Sequence, residues 1–188
     1  MNLPNKLSVL RVILVPFFVA LLLLDWIPFH TMIALAVFIA ASVTDAIDGK
    51  YARKHNMVTT FGKFLDPLAD KVLVISAMLC FVDMGLVSSV PVIIIIAREF
   101  LVTSLRLAAV ETGEVIAAST MGKIKTAYTM GALVAVLLLE SIAAFGVFPA
   151  WLHLRAVYEI LMWIAAVLTV ASGVEYIWVN RKCINVTK

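Results

Sequence analysis

The stretch TDAIDGKYARKHNMVTTFGKFLDPLADK, Thr44 to Lys71, determines which fold the chain can adopt. It places four aspartates, at positions 45, 48, 66 and 70, within 26 residues. Long apolar runs precede and follow it, so these carboxylates adjoin segments suited to a lipid bilayer. Carboxylates at membrane depth are costly unless they are paired or coordinated. The stretch therefore predicts that two helices of a membrane protein end at a polar, ion-binding site.

The composition of the whole chain is that of an integral membrane protein. Of its 188 residues, 63% are hydrophobic and 14% are charged, whereas soluble domains have roughly 45–50% and about 25%. Six apolar runs predict six transmembrane helices, some lengthened by polar turns because a bare span needs roughly 20 residues. The runs are 7–24, 31–44, 67–82, 87–97, 124–139 and 156–179. No long linker separates them, so we expect a single all-α membrane domain over residues 1–188.

The basic residues predict how the chain is oriented in the membrane. If the chain crosses six times, 14 of its 15 Lys and Arg residues fall on one side, and only Arg155 falls on the other. Basic residues near helix ends stay on the cytoplasmic side, so we expect both termini and the aspartate stretch to be cytoplasmic. This topology, together with attraction of the basic residues to anionic lipid headgroups, explains the net charge of +3. Membrane lipids are therefore expected partners, and nucleic acid is not.

The aspartate spacing predicts a site for divalent cations. Asp45 and Asp48 are three residues apart, and Asp66 and Asp70 are four apart, so on helices each pair shares one face. Oxygen ligands alone favour hard ions such as Mg²⁺ or Mn²⁺, and four carboxylates can bridge two such ions. A competing interpretation makes Asp66, followed by Pro67, the N-cap of a helix.

Small residues beside the aspartates leave space for a ligand. Gly49, Ala52 and Gly62 remove side-chain bulk next to the carboxylates. Arg53 supplies a planar fork of donors that suits a phosphate or a base edge. Together with the metal ions, these residues predict a pocket for a phosphorylated ligand at the membrane surface.

The complete pattern resembles, without departure, the signature of the CDP-alcohol phosphotransferase family. It runs Asp45-x-x-Asp48-Gly49-x-x-Ala52-Arg53, eight residues, Gly62, three residues, Asp66, three residues, Asp70. The resemblance implies a six-helix membrane bundle, usually a homodimer. It also implies transfer of a phosphatidyl group from CDP-diacylglycerol to an alcohol, with release of CMP.

By the same resemblance, each matching residue receives a role. The four aspartates would hold two Mg²⁺ or Mn²⁺ ions, and Asp70 would also be the general base. A larger set would contact CDP-diacylglycerol: Pro4, Asn5, Gly49, Ala52, Arg53, Thr59 and Gly62.

Three further segments resemble the bacterial branch of the family that forms phosphatidylglycerophosphate. They are 2–16 (NLPNKLSVLRVILVP), 96–106 (IAREFLVTSLR) and 122–127 (GKIKTA). This resemblance implies sn-glycerol 3-phosphate as the acceptor and the bacterial plasma membrane as the location. Four cations agree with it, because a phosphorylated acceptor needs positive charge. The four are Arg98, Arg106, Lys123 and Lys125.

Several assignments have structural alternatives that the sequence leaves open. Lys123 and Lys125 are equally explained as topology anchors. Glu99 is a candidate to orient its neighbour Arg98. Solvation at the interface is the favoured explanation for Glu159 and Glu175.

Other helix residues also have two interpretations. Arg11 either snorkels to the interface or contacts the donor phosphate. Ser42 and Thr44 either hydrogen-bond to their own helix or belong to the site.

Two other functions compete with the one the resemblance implies. A sister enzyme would use another acceptor, such as an inositol phosphate or phosphatidylglycerol. A divalent-cation or proton pathway would need polar residues that continue across the bilayer, but 31–43 and 72–82 are nearly free of them. The aspartates are therefore predicted to form a one-sided pocket.

Overall fold

The computed structural model contains six α-helices and, among the described residues, no β-strand. The structure describes the backbone of residues 3–24, 26–54, 60–111, 119–149 and 153–181. Within these ranges it also describes the side chains, except those of residues 3–8, 45–54, 60–70, 108, 110 and 111. The helices are α1 (Leu3–Leu23), α2 (His30–Lys54), α3 (Thr60–Asp83), α4 (Ser89–Glu111), α5 (Thr120–Ala143) and α6 (Leu154–Val179). The all-helical prediction is confirmed.

Each predicted apolar run corresponds to one helix, and polar turns extend several of them. α2 continues beyond its apolar run as far as Lys54, and α3 begins at Thr60, ahead of its run. The helices contain between 21 and 26 residues, which at about 1.5 Å per residue is enough to cross a hydrocarbon core of about 30 Å. Within the described residues, α5 and α6 are long and apolar enough to span a membrane.

The chain forms two compact units, and the first contains both helices of the aspartate stretch. This unit comprises the described parts of 1–84 and 133–153. In it α1 packs against both α2 and α3, which also contact each other. Phe18 of α1 and Phe38 of α2 are fully buried, with ring centroids 5.7 Å apart. At the start of α2, His30 Nδ1 donates to the carbonyl oxygen of Leu21 at 3.0 Å. Contacts with α1 thus hold both aspartate-bearing helices.

The second unit comprises the described parts of 85–132 and 154–188. Its helices α4 and α6 pack against each other, and it also contains the first half of α5. The buried face of α6 repeats every three or four residues, as expected for one side of a helix. Small residues on that face allow close approach of a neighbouring helix. The buried residues are Tyr158, Met162, Ala165, Ala166, Thr169, Ser172, Gly173 and Tyr176. The prediction of a single domain stays a prediction.

Candidate active site

The structure places all four aspartates on helices of the first unit. Asp45 and Asp48 lie in the second half of α2, and Asp66 and Asp70 lie in the first half of α3. Each pair therefore has the helical spacing on which the metal-site prediction depends. The alternative that makes Asp66 an N-cap is wrong, because α3 already begins at Thr60.

The side chains of the aspartates fall outside the described residues, as do most of the predicted donor contacts. The same holds for the side chains of Pro4, Asn5, Ala52 and Arg53, although the residues themselves lie on helices. Gly49 and Gly62 also lie on helices, in α2 and α3, and Thr59 lies outside the described backbone. Where side chains are described, no three His, Cys, Asp or Glu residues are grouped as a metal site requires. The roles predicted for the aspartate stretch therefore stay predictions.

Three charged side chains of the second unit form the Arg98–Glu99–Lys125 cluster. Arg98 Nη1 donates to Glu99 Oε1 at 3.1 Å, and Lys125 Nζ donates to the same oxygen. The side chains of Arg98, Glu99 and Lys125 are 14%, 20% and 6% exposed. A buried charge is unfavourable unless it is paired and hydrogen-bonded, which explains the shared carboxylate. Two cations and one carboxylate leave these three side chains with one net positive charge, which suits an anionic ligand.

The stem of Arg98 lies directly against the backbone of Gly173 in α6. A Cβ atom at position 173 would be 3.1 Å from Arg98 Cγ and 3.4 Å from Arg98 Nε. The shorter of these distances is tighter than an ordinary van der Waals contact of Cβ. Glycine at this position therefore provides the space that the arginine stem occupies.

Buried donors without a hydrogen-bond partner occur in the same unit. Among the described residues, Arg98 Nε, Thr169 Oγ1 and Tyr176 Oη are buried and have no partner. Thr169, Gly173 and Tyr176 follow one another at spacings of four and three, so they share the buried face of α6. An unpaired buried donor costs roughly 1–3 kcal/mol and in native proteins calls for a ligand, an ion or a water molecule. Arg98 Nε is thus a buried donor whose partner would be a ligand, an ion or a water molecule.

The structure separates the four predicted phosphate contacts into two kinds. Arg98 and Lys125 come together through Glu99, whereas Arg106 and Lys123 are exposed. In the described part of the chain, no ion pair or hydrogen bond joins Arg106 or Lys123 to the cluster. Burial of Lys125 at 5% exposure argues against a role as a simple topology anchor, since such lysines reach into the interface. For Arg106 and Lys123, phosphate contact stays a prediction.

Two glutamates of α6 have a structural role that the sequence did not predict. Ser88, just before α4, donates to Glu159 Oε2 at 3.0 Å. Ser119, just before α5, donates to Glu175 Oε2 at 3.0 Å and accepts a hydrogen bond from Gly122 N at 3.0 Å. The two carboxylates therefore hold the serines that precede two helices, and Ser119 is an N-cap. A serine before an apolar helix is a recognisable sign of an N-cap. Its glutamate partner could not be read from the sequence, because it lies 71 residues away for Ser88 and 56 residues away for Ser119.

Three other residues with open interpretations are placed by the structure. Ser42 donates to Phe38 O at 2.8 Å and Thr44 donates to Ala40 O at 2.7 Å. Both hydroxyls are thus bonded within α2, as one of the two interpretations predicted. Arg11 is 3% exposed, which argues against snorkelling to the interface, and its contact with the donor phosphate stays a prediction.

Comparisons of the sequence with known proteins all point to the same family. The sequence profile of the family described as CDP-alcohol phosphatidyltransferase matches residues 1–171. A Bacillus subtilis protein named CDP-diacylglycerol–glycerol-3-phosphate 3-phosphatidyltransferase is 44% identical over 186 residues, covering 93% of each chain. Proteins of the same name from Haemophilus influenzae and Escherichia coli are 39% and 38% identical, covering 96% of this chain and 94% and 95% of theirs.

Proposed function

The chain belongs to the CDP-alcohol phosphatidyltransferase family, and we propose that it transfers the phosphatidyl group of CDP-diacylglycerol to sn-glycerol 3-phosphate. The products are phosphatidylglycerophosphate and CMP. The observation that carries this function is similarity to relatives whose names state this reaction. The similarity covers nearly the whole of this chain and nearly the whole of each relative. The enzyme would act in phospholipid biosynthesis.

The donor is assigned to the aspartate stretch and to the amino-terminal end of α1. The carboxylates of Asp45, Asp48, Asp66 and Asp70 are a hard-oxygen donor set that fits two Mg²⁺ or Mn²⁺ ions. When bound, such ions neutralise the diphosphate and the charge that develops on departing CMP. Around them, a second set of residues would contact the nucleotide and the diphosphate: Pro4, Asn5, Gly49, Ala52, Arg53, Thr59 and Gly62.

The chemical step is a substitution at phosphorus. A hydroxyl oxygen of the acceptor forms a bond to the phosphorus of the phosphatidyl group, and the bond from that phosphorus to the CMP oxygen breaks. Asp70 accepts the hydroxyl proton as general base, and the electron pair of the broken bond leaves with CMP. A positioned base of this kind contributes about 10²–10⁴-fold to the rate. No oxidant, reductant or further reactant is needed.

The phosphate of the acceptor is assigned to basic residues of α4 and α5. Arg98 and Lys125 supply two mostly buried cations whose charge one carboxylate neutralises only in part. Arginine binds phosphate through two parallel N–H donors, and Arg98 Nε is a donor without a partner among the described residues. Arg106 and Lys123, both exposed, would attract the acceptor from the aqueous side.

The reaction would take place at the interface between the membrane and the cytoplasm. We infer six transmembrane helices in the bacterial plasma membrane, with both termini and the aspartate stretch on the cytoplasmic side. If the chain crosses six times, 14 of its 15 basic residues fall on one side, which supports this orientation. The acyl chains of the donor stay in the bilayer, while the water-soluble acceptor arrives from the cytoplasm. A homodimer is proposed on family resemblance.

An acceptor panel tests the proposed function. Purified protein in detergent is given CDP-diacylglycerol, Mg²⁺ or Mn²⁺, and one alcohol at a time, and CMP release is followed. Release with glycerol 3-phosphate, and its loss with excess EDTA, is the expected result. Release with only an inositol phosphate or phosphatidylglycerol would make the chain a sister enzyme, and no release with any alcohol would refute transferase activity.

A further inference from the structure

We propose that Gly173 is a positioning residue that sets the acceptor-phosphate contact of Arg98. The inference rests on the proposed function and deepens it, because it identifies a residue outside the aspartate motif that acts through an arginine side chain. Gly173 lies on the buried face of α6, and Arg98 lies on α4. These two helices pack against each other within the second unit.

Two contacts fix the Arg98 side chain, one at each end. At its tip, Nη1 is bound to Glu99 Oε1 at 3.1 Å. At its stem, Cγ lies where a Cβ of residue 173 would come within 3.1 Å. Because Cγ is near the root of the side chain, any shift there moves the whole guanidinium group.

The fixed arrangement leaves one edge of the guanidinium unengaged by Glu99. Nε and Nη2 carry N–H groups that point the same way, and such a pair matches two oxygens of a phosphate. Nη1 is engaged by Glu99, and Nε has no partner among the described residues. A methyl group at position 173 would also lie 3.4 Å from Nε, beside this edge. Glycine thus permits the position of the stem and keeps a methyl group away from this buried edge.

The test compares Gly173→Ala with a matched control, Gly131→Ala. Gly131 lies in α5 of the same unit, and a Cβ there would meet nothing within 4 Å. Both substitutions raise helix propensity alike, but Gly131 is exposed, whereas Gly173 is buried against Arg98. We expect Gly173→Ala to raise the KM for glycerol 3-phosphate about fivefold to tenfold, the cost of a weakened charge-assisted contact. The KM for CDP-diacylglycerol should stay unchanged, and Gly131→Ala should match the wild type in both.

A double-mutant cycle separates action through Arg98 from general disturbance. Arg98→Ala removes Cγ and the guanidinium, so adding Gly173→Ala should then leave the KM for glycerol 3-phosphate unchanged. A further rise by the same factor as in the wild-type background would overturn the inference. If Gly173→Ala does not fold, the double variant is expected to fold, and its failure to fold would equally overturn the inference.

The cycle also distinguishes this inference from the proposed function. If the wild type releases no CMP with glycerol 3-phosphate, the proposed function fails. If the wild type is active and Gly173→Ala has wild-type kinetics, only the positioning role of Gly173 is refuted.

Discussion

The shared carboxylate of Glu99 offers a direct test of the cluster, through the substitution Glu99→Gln. Glutamine keeps the length of the side chain and one carbonyl acceptor but removes the negative charge. Arg98 and Lys125, which are 14% and 6% exposed, would then lose the charge that both contact. The two cations would also repel each other across a partly buried site.

The size of the effect follows from these contacts. A hydrogen bond to a charged group contributes about 1.5–3 kcal/mol, and breaking a buried ion pair costs about 3–5 kcal/mol. Glutamine retains one acceptor, and the Glu99 side chain is 20% exposed, so solvent reduces the penalty. We therefore expect Glu99→Gln to lower the free energy of unfolding by about 2–4 kcal/mol.

The assay is reversible unfolding in mixed micelles, with Glu159→Gln as the matched control. Glu159 accepts a hydrogen bond from the neutral hydroxyl of Ser88, and glutamine keeps a carbonyl acceptor for that hydroxyl, so the same substitution there should cost under about 1 kcal/mol. A loss at Glu99 no larger than the loss at Glu159 would refute the account of the cluster.

A second variant, Lys125→Met, tests whether Glu99 and Lys125 are coupled. Methionine keeps most of the apolar stem and removes the charge. The double variant Glu99→Gln with Lys125→Met should lose at least about 1 kcal/mol less than the sum of the single losses, because removing both partners leaves fewer unpaired charges. Additive losses would show that the two side chains do not act as a pair.

Three other predictions concern single positions. Asp70→Asn should lower kcat for CMP release by about 10²-fold or more with an unchanged elution volume and circular dichroism spectrum; near-normal kcat would exclude the general-base role. Arg98→Ala should raise the KM for glycerol 3-phosphate more than Arg106→Ala does, since Arg98 is the mostly buried one, and both should leave the KM for CDP-diacylglycerol nearly unchanged; the reverse order would place the phosphate at Arg106. Ser119→Ala should lower the free energy of unfolding by about 1–2 kcal/mol, because α5 loses its N-cap; an unchanged value would mean that the cap contributes nothing.

The helices could be predicted from the sequence because each contains a continuous apolar run. Their ends were harder to predict, since the polar residues that extend a helix beyond its apolar run give no hydropathy signal for where the helix ends. α3 illustrates this: Asp66 and Pro67 form a common helix start, yet the helix begins at Thr60. A local capping pattern was overridden by continued helix formation in the preceding residues.

The charged cluster could be predicted only in part. Arg98 and Lys125 were identified by charge and resemblance, but their common contact with Glu99 joins positions 26 residues apart. The role of Gly173 depends on which arginine atoms lie beside it, and no local pattern encodes that contact. The same is true of Glu175, whose partner Ser119 lies just before another helix, α5.

The central claim is tested most directly by following both products of one reaction. Glycerol 3-phosphate labelled with ³²P is incubated with the purified protein, CDP-diacylglycerol and Mg²⁺, and labelled lipid and CMP are measured together. The proposed function predicts one labelled, chloroform-soluble lipid for each CMP released, with neither product formed when the donor is omitted. CMP released without labelled lipid would contradict it, because the protein would then hydrolyse CDP-diacylglycerol instead of transferring its phosphatidyl group.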